Sequence, residues 1–366
     1  MKTSKRKRKY RHRKIILAVC IVAVCIGLLF GAYHLVMNGK WFGGDEGLIS
    51  NTDPFVGEKY INILIVGIDN SEERNQMLTD VMMIAHYDLE NNEVRILQIP
   101  RDTWTDANSF HKMNTIYGHT DEKNRIIGLA NELADDLQLP IDYYVTITMD
   151  GFRRAIDAIG GVEVDVPFSF EFPKAGTGYW IYEGRQTLDG VHAEWFVRYR
   201  SGFVTGDVGR IQNMQRIFVS ALADQLTKLD SGDLMNLVTS VFGEFTTNFT
   251  LNDLLSLASR AHGLDLSKVE MYMIPGEGYG PSYSYYTAHK EELALLLNAK
   301  FRTYTDPVPA DELQIVEKAN TTAYLDDNGN TIEDILSGEK PGSGSISYKE
   351  DESSSSSSSS SSGKND

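Results

Sequence analysis

Tyr60-Ile61-Asn62-Ile63-Leu64-Ile65-Val66-Gly67 is nearly all apolar and rich in β-branched residues, so it reads as a buried strand. Two more strands follow, Val81 to Tyr87 and Glu93 to Ile99, and Asp88-Leu89-Glu90-Asn91-Asn92 between them has the length and composition of a hairpin loop. A hairpin forces antiparallel neighbours, so the sheet is expected to be mixed rather than purely parallel. Further along, Ile126 to Leu137 has helical spacing closed by Pro140, and Tyr143 to Met149 alternates as a strand does. Phe152 to Ile159 reads as a short helix ended by Gly160-Gly161, with Val162 to Val166 a strand after it. Ala193 to Arg200 is expected as another strand. A long helix then runs from about Asp207 to Leu229, with Ile211, Met214, Phe218, Leu222 and Leu226 on one face, Asp207 at the N-cap and Arg210 in the first turn. Residues 250–265 and 288–300 add two amphipathic helices. Strands alternating with helices define an α/β domain with helices covering both faces of a mixed central sheet.

The ends of the chain say where this domain works. Residues 1–14 hold nine Lys/Arg and no acid, and residues 15–36 form an uncharged, mostly apolar stretch of 22 residues. At about 1.5 Å per residue that stretch spans a hydrocarbon core of roughly 30 Å. The basic side stays in the cytoplasm, which places everything after Val36 outside, on a single membrane span. A cleaved signal peptide is the alternative, but such regions are usually shorter and end in small residues, whereas this one ends Tyr33-His34-Leu35-Val36-Met37. Cys20 and Cys25 both lie inside the span and read as ordinary apolar residues there, so the exported part relies on no disulfide. Without the nine basic head residues, 26 Lys/Arg face 51 Asp/Glu, about −25 outside the membrane. That field disfavours nucleic acid as a partner. Residues 37–58 read as a linker, 59–230 as the core of the domain, and 231–305 as a helical C-terminal part of it. The acidic, Asn-rich stretch 306–336 is expected as an arm, with Val308 to Val316 a strand or arm within it. Residues 337–366, with ten serines from Ser353 to Ser362, are too polar to offset chain entropy and should be disordered.

Against the acidic body stand local cationic islands. Ile99-Pro100-Arg101-Asp102-Thr103, Arg198-Tyr199-Arg200 and Gly206-Asp207-Val208-Gly209-Arg210 each follow or join an apolar run. The planar guanidinium fork matches phosphate oxygens in pairs. Read as a strand, Arg198 and Arg200 share one face, where like charges need an anion between them. Arg210 adds a cation at a helix start, where the dipole already favours an anion. A diphosphate cradle is one reading; Arg101 paired with Asp102 and Arg200 as a solvated strand end is the other. Asp69 ends the first strand and Thr79-Asp80 opens the second. If those ends adjoin, two carboxylates and a hydroxyl suit Mg²⁺ or Mn²⁺ shared with a phosphate; turn and cap aspartates are the plainer alternative. Phosphate-loop, serine-elbow and zinc motifs are absent from the sequence.

The ordered set Gly67-Ile68-Asp69, Thr79-Asp80-Val81-Met82-Met83, Ile99 to Thr103, Lys112-Met113-Asn114, Gly151-Phe152, Ile156 to Val162, Leu188-Asp189-Gly190, Phe196 to Arg200 and Gly206 to Arg210 resembles the LytR-CpsA-Psr family of cell-envelope proteins. The basic head and single span are also similar. The resemblance implies an α/β/α sandwich whose apolar centre takes a prenyl tail. It implies a phosphotransferase of the Gram-positive envelope, moving a glycopolymer (teichoic acid, capsular polysaccharide or a related chain) from a polyprenyl-diphosphate donor to a peptidoglycan acceptor as a phosphodiester. By matching motif, Asp69 and Asp80 would hold Mg²⁺ (or Mn²⁺), and Arg101, Arg198, Arg200 and Arg210 would bind the diphosphate. Lys112 would lie nearby, and Asp207 would fix an arginine or assist proton transfer. Departures from the family pattern are Leu78 and Ser71 where arginines are common, with Arg74 a substitute for the second. Asn213-Met214 stands where Arg-Gln is common, with Gln212, Gln215 and Arg216 close by. Two other functions share these residues: a non-catalytic glycan-lipid-binding or regulatory envelope protein, and a pyrophosphatase acting on the same lipid.

Overall fold

Strands β1 (Tyr60–Asp69), β2 (Leu78–Asp88) and β3 (Glu93–Gln98) form an antiparallel meander, β1 against β2 and β2 against β3. The computed structural model describes residues 54–69, 77–121, 123–172, 179–199, 208–228, 244–250, 253, 256–257, 260, 264–280, 284–318 and 330–337; of residues 172, 179, 208–213 and 330 it describes the backbone alone. The hairpin loop after β2 is held by Asp88, whose Oδ1 accepts from Glu90 N at 3.1 Å and Asn91 N at 2.9 Å, while Asn92 takes a left-handed φ of 52°.

After a short helix α1 (Ile116–His119) and α2 (Arg125–Leu137), β4 (Tyr143–Thr148) returns to pair parallel with β1. Thr148 caps α3 (Met149–Ala158), its side chain accepting from Gly151 N at 3.1 Å. β5 (Val162–Val166), β6 (Phe170–Phe172), β7 (Tyr179–Ile181) and β8 (Gly184–Leu188) make two small antiparallel pairs, β5 with β8 and β6 with β7. Helices α4 (Gly190–Arg198) and α5 (Val208–Thr227) follow, then β9 (Phe245–Thr247), β10 (Val269–Met273) and the β11 (Gly276–Tyr279)–β12 (Tyr285–Ala288) hairpin. α6 (Lys290–Lys300), β13 (Asn330–Thr331) and α7 (Ile332–Leu336) complete the described chain. The main sheet has seven strands in the order β13-β10-β3-β2-β1-β4-β9, with parallel β1–β4 and β3–β10 pairs among antiparallel ones. The sheet is mixed, as the hairpin required.

Two hydrophobic clusters lie on opposite faces of this sheet, because consecutive β1 residues alternate between them. Ile61 and Ile63 join one cluster with residues of α3, α4, α5 and α7; Leu64, Val66 and Ile68 join the other with residues of α2 and α6.

Several expectations change. Ala193–Arg200, expected as a strand, is helical through Arg198: Asp189 accepts from His192 N at 2.9 Å and starts α4. The aromatic and β-branched content of Trp195-Phe196-Val197 is strand-like, but the N-cap wins, and Ala193 to Val197 are buried on every side of the helix. The stretch 231–305, expected to be helical, also supplies β9 to β12. Val308 to Val316 is an arm and not a strand: it carries a 3-10 turn (Ala310–Glu312), and Gln314 N and Ile315 N both donate to Asp136 O at 3.1 Å. The expected membrane span at residues 15–36 lies outside the described residues, as does the serine tail. Among the described residues no helix is long and apolar enough to cross a membrane.

Candidate active site

The site forms where β1 ends and β2 begins. Their pairing is regular from Tyr60↔Asp88 to Gly67↔Val81, then shifts so that Ile68 faces Thr79. Asp80 is the residue left over, a β-bulge that re-aims its side chain. The start of β2 is held closely from outside: a Cβ on Gly118 of α1 would collide with the carbonyl oxygen of Met77. Asp69 and Asp80 thereby reach the same place, each with a side chain only 2 % exposed.

Arg198, at the end of α4, joins them. Its Nη2 lies 2.8 Å from Asp69 Oδ2, its Nε 3.0 Å from Asp80 Oδ2, and its Nη1 2.6 Å from Glu194 Oε1. Arg101 pairs with the other oxygen of Asp80 through Nη1. Its Nε stands 3.8 Å from Asp102 Oδ1, and Lys112 Nζ lies 2.8 Å from that same Asp102 oxygen. Arg153 Nε approaches Glu194 Oε2 at 3.4 Å. A continuous chain of alternating charge therefore runs from Glu194 through Arg198, the two aspartates and Arg101 to Lys112. Buried charges persist only when matched in this way, and removing one partner typically costs about 3–5 kcal/mol.

Of the residues singled out from sequence, Asp69, Asp80, Arg101 and Arg198 meet directly, and Lys112 adjoins them through Asp102. Arg200 and Asp207 lie outside the described residues. Arg210 falls in the first turn of α5, as its spacing required, with its side chain outside them. The reasoning that Arg198 and Arg200 share a strand face fails, since Arg198 ends a helix. Glu194 was missed for the same reason: read as helix, Glu194 and Arg198 are an i, i+4 pair. Gln215 and Arg216, noted beside the Asn213-Met214 departure, point inward. Arg216 is fully buried and its Nε donates to Gln98 Oε1 at 2.6 Å, while Gln215 Nε2 donates to Val197 O at 3.4 Å, behind Arg198.

Next to the charges opens an apolar cavity of about 150 Å³ on the α3–α5 face of the sheet. Ile63, Ile65, Met83, Phe152, Ala155 and Phe218 are among its walls. Gly67, Val81 and Val197 line it too, and each stands one or two residues from Asp69, Asp80 or Arg198. The cavity thus meets the charged cluster end to side. An apolar chain with a charged head fits such a place: tail in the cavity, head among the arginines.

The donor set suits a hard divalent cation. Asp69 and Asp80 already direct oxygens at one cationic group, the Arg198 guanidinium. Two carboxylates completed by substrate phosphate is the usual provision for Mg²⁺. Among the described residues no group of three or more His, Cys, Asp or Glu gathers as a metal site.

An α/β fold with this ordered set of charged motifs beside an apolar cavity defines a class, and comparison with known proteins gives its name. The profile of the LytR_cpsA_psr family matches residues 48–302, and the chain belongs to that family. It is 29% identical over 263 residues, 70% of this chain and 81% of the relative, to a protein of Halalkalibacterium halodurans named polyisoprenyl-teichoic acid–peptidoglycan teichoic acid transferase TagU. It is 27% identical over 299 residues to the Bacillus subtilis transferase TagV, covering 76% of this chain and 75% of the relative. The crystal structure of B. subtilis TagV matches with a TM-score of 0.56 at 25% identity, over 66% of this chain and 95% of that one. The mixed α/β fold with its central mixed sheet is therefore the fold of this family.

Proposed function

We propose that this chain is a membrane-anchored phosphotransferase working outside the cell, which moves a glycopolymer from a polyprenyl-diphosphate carrier to peptidoglycan. The observation that carries the reading is the junction of the apolar cavity with the buried Asp69–Arg198–Asp80–Arg101 cluster. The relatives' names supply the substrate class, since they are named for a polyisoprenyl-linked teichoic acid and peptidoglycan.

The prenyl tail would occupy the cavity, bringing the diphosphate to the rim. Arg101 and Arg198, with Arg200 and Arg210 by family motif, would hold its oxygens, and Lys112 would add charge beyond Arg101. A sugar hydroxyl of peptidoglycan attacks the phosphorus that bears the glycan. The new P–O bond forms as the bond to the polyprenyl phosphate breaks; the hydroxyl proton would pass to the Asp207 carboxylate, the role its motif match implies, and polyprenyl phosphate departs. Such transfer depends mainly on positioning and on neutralising phosphate oxygens. Mg²⁺ or Mn²⁺ at Asp69 and Asp80 would supply part of that neutralisation. The guanidinium forks that now hold the two carboxylates are those that would turn to the diphosphate.

The test uses full-length protein in detergent with Mg²⁺, a polyprenyl-diphosphate glycan and peptidoglycan fragments. Mass spectrometry should show a glycan–phosphate–muropeptide adduct, lost in Asp80→Asn. Donor bound but unchanged would establish a binding protein instead, and release of free glycan phosphate a pyrophosphatase.

A further inference from the structure

A second concentration of side chains lies beyond Arg101, away from the cavity. Trp104 stacks on His111 with ring centroids 4.5 Å apart and planes 11° from parallel. It also meets Tyr285 at 4.8 Å and Tyr279, edge to face, at 5.7 Å. Lys318 Nζ stands 4.8 Å from the Trp104 ring centre and Lys112 Nζ 5.1 Å from that of Tyr285. The hub is fixed at both ends, Trp104 Nε1 donating to Asp106 Oδ1 at 2.8 Å and its backbone N to Tyr286 O at 2.7 Å. All four rings are half-buried, so each keeps surface open to solvent. Rings collected for packing alone would be expected to close into the core; these form a shelf edged by two lysines and their partner carboxylates, Asp102 at 2.8 Å from Lys112 and Asp106 at 3.5 Å from Lys318.

The shelf is continuous with the charged cluster. Lys112 belongs to both, through Asp102 at 2.8 Å and the Tyr285 ring. Its position relative to the cavity is the decisive point. The cavity opens on the α3–α5 face, whereas the buried neighbours of the shelf, Ile99, Met113 and Tyr286, belong to the cluster on the opposite face. The contacts that link cavity to shelf run from Val81 and Asp80 through Arg101 and Asp102 to Lys112 and the Tyr285 ring.

We infer that this shelf is the acceptor subsite, taking the amino-sugar backbone of peptidoglycan. The inference rests on the transferase reading above. In an in-line displacement the attacking oxygen enters opposite the leaving group, here polyprenyl phosphate on the cavity side. The acceptor must then come from the other side, where the shelf stands. Its chemistry fits: the electron-rich faces of Trp and Tyr favour the polarised C–H face of a pyranose ring, and Lys112 and Lys318, paired with Asp102 and Asp106 in the free protein, would exchange those partners for the carboxylates of muramyl peptides.

The test is saturation-transfer NMR of an N-acetylglucosaminyl–N-acetylmuramyl tetrapeptide with full-length protein in detergent micelles, without donor. Wild type should transfer saturation to the sugar ring protons. Tyr285→Ala should weaken binding about tenfold and Tyr285→Phe should keep it, with donor binding unchanged in both. Lys318→Glu, a surface change that leaves the core alone, should weaken the muropeptide about fivefold and leave an uncharged N-acetylglucosamine disaccharide unaffected. No binding by wild type, wild-type binding by both Tyr285→Ala and Lys318→Glu, or weakened donor in their place would overturn the assignment. Muropeptide binding as expected with no transfer to it would sink the transferase reading alone.

Discussion

On one face of the sheet, Leu64, Val66 and Ile84 are closed over by Leu129, Leu133 and Leu137 of α2 and by Leu293 and Leu297 of α6. On the other, Ile63, Ile65 and Met83 look into the cavity of about 150 Å³. The two faces use the same kinds of residue from the same strands, so composition does not separate filling from chamber. Energy does. At roughly 24 cal/mol per Å³, an empty space of this size forfeits about 4 kcal/mol, a large part of an ordinary domain's 5–15 kcal/mol. The prenyl tail proposed for this cavity would offset that cost, with its charged head at Asp69, Asp80 and Arg198.

The rim is where the contrast breaks most sharply. Arg198→Ala leaves two buried carboxylates sharing one cation fewer, and transfer should fall by at least 10²–10³-fold, with a loss of about 3–5 kcal/mol in stability. Arg198→Lys, which keeps the charge but not the fork, should regain most of the stability and little of the activity in adduct and urea-melt measurements. A lysine enzyme as fast as wild type would remove the fork from the mechanism.

A paired substitution compares the faces themselves. Leu133→Ala on the filled face should cost about 2–5 kcal/mol and leave the donor KM alone. Ala155→Leu, in the cavity wall, should stay within about 1 kcal/mol of wild type and raise the KM for long-tailed donors more than for short ones. Equal effects of tail length in the two variants would mean that the cavity holds no tail.

The smallest effect concerns a buried carboxylate on the filled face. Burial pushes the Asp136 carboxyl up to about 7, with Glu132 and Asp135 adding to the shift and Lys290 opposing it. Between the unfolded value of about 3.9 and 7 the folded chain holds a proton that the unfolded chain has released, so stability falls as pH rises through that window. Asp136→Asn should flatten the fall and be more stable than wild type at pH 8, by on the order of 1–3 kcal/mol. Parallel melting curves from pH 5 to 8 would show that Asp136 ionises freely in the fold.

Much of the architecture was legible in the sequence because it rests on local pattern. β1, the β2–β3 hairpin, α2 with its stop before Pro140, and the long α5 all follow from periodicity and caps. α4 did not, since Trp195-Phe196-Val197 is strand-like on its own; the deciding signal was Asp189 three residues before His192. The strands of 231–305 were hidden because β9 has three residues and draws its stability from its neighbour β4. The ordered motifs brought Asp69, Asp80, Arg101, Lys112 and Arg198 forward. The bulge, the i, i+4 Glu194 and the aromatic shelf depend on three-dimensional register, which a linear reading does not contain.

The offset at Asp80 has one more consequence. From Val81 to Asp88 every residue of β2 meets its β1 partner without interruption, and the irregularity sits at the open end of the pair. Removing one residue there would leave the downstream ladder and both apolar faces as they are while erasing the convergence of the carboxylates.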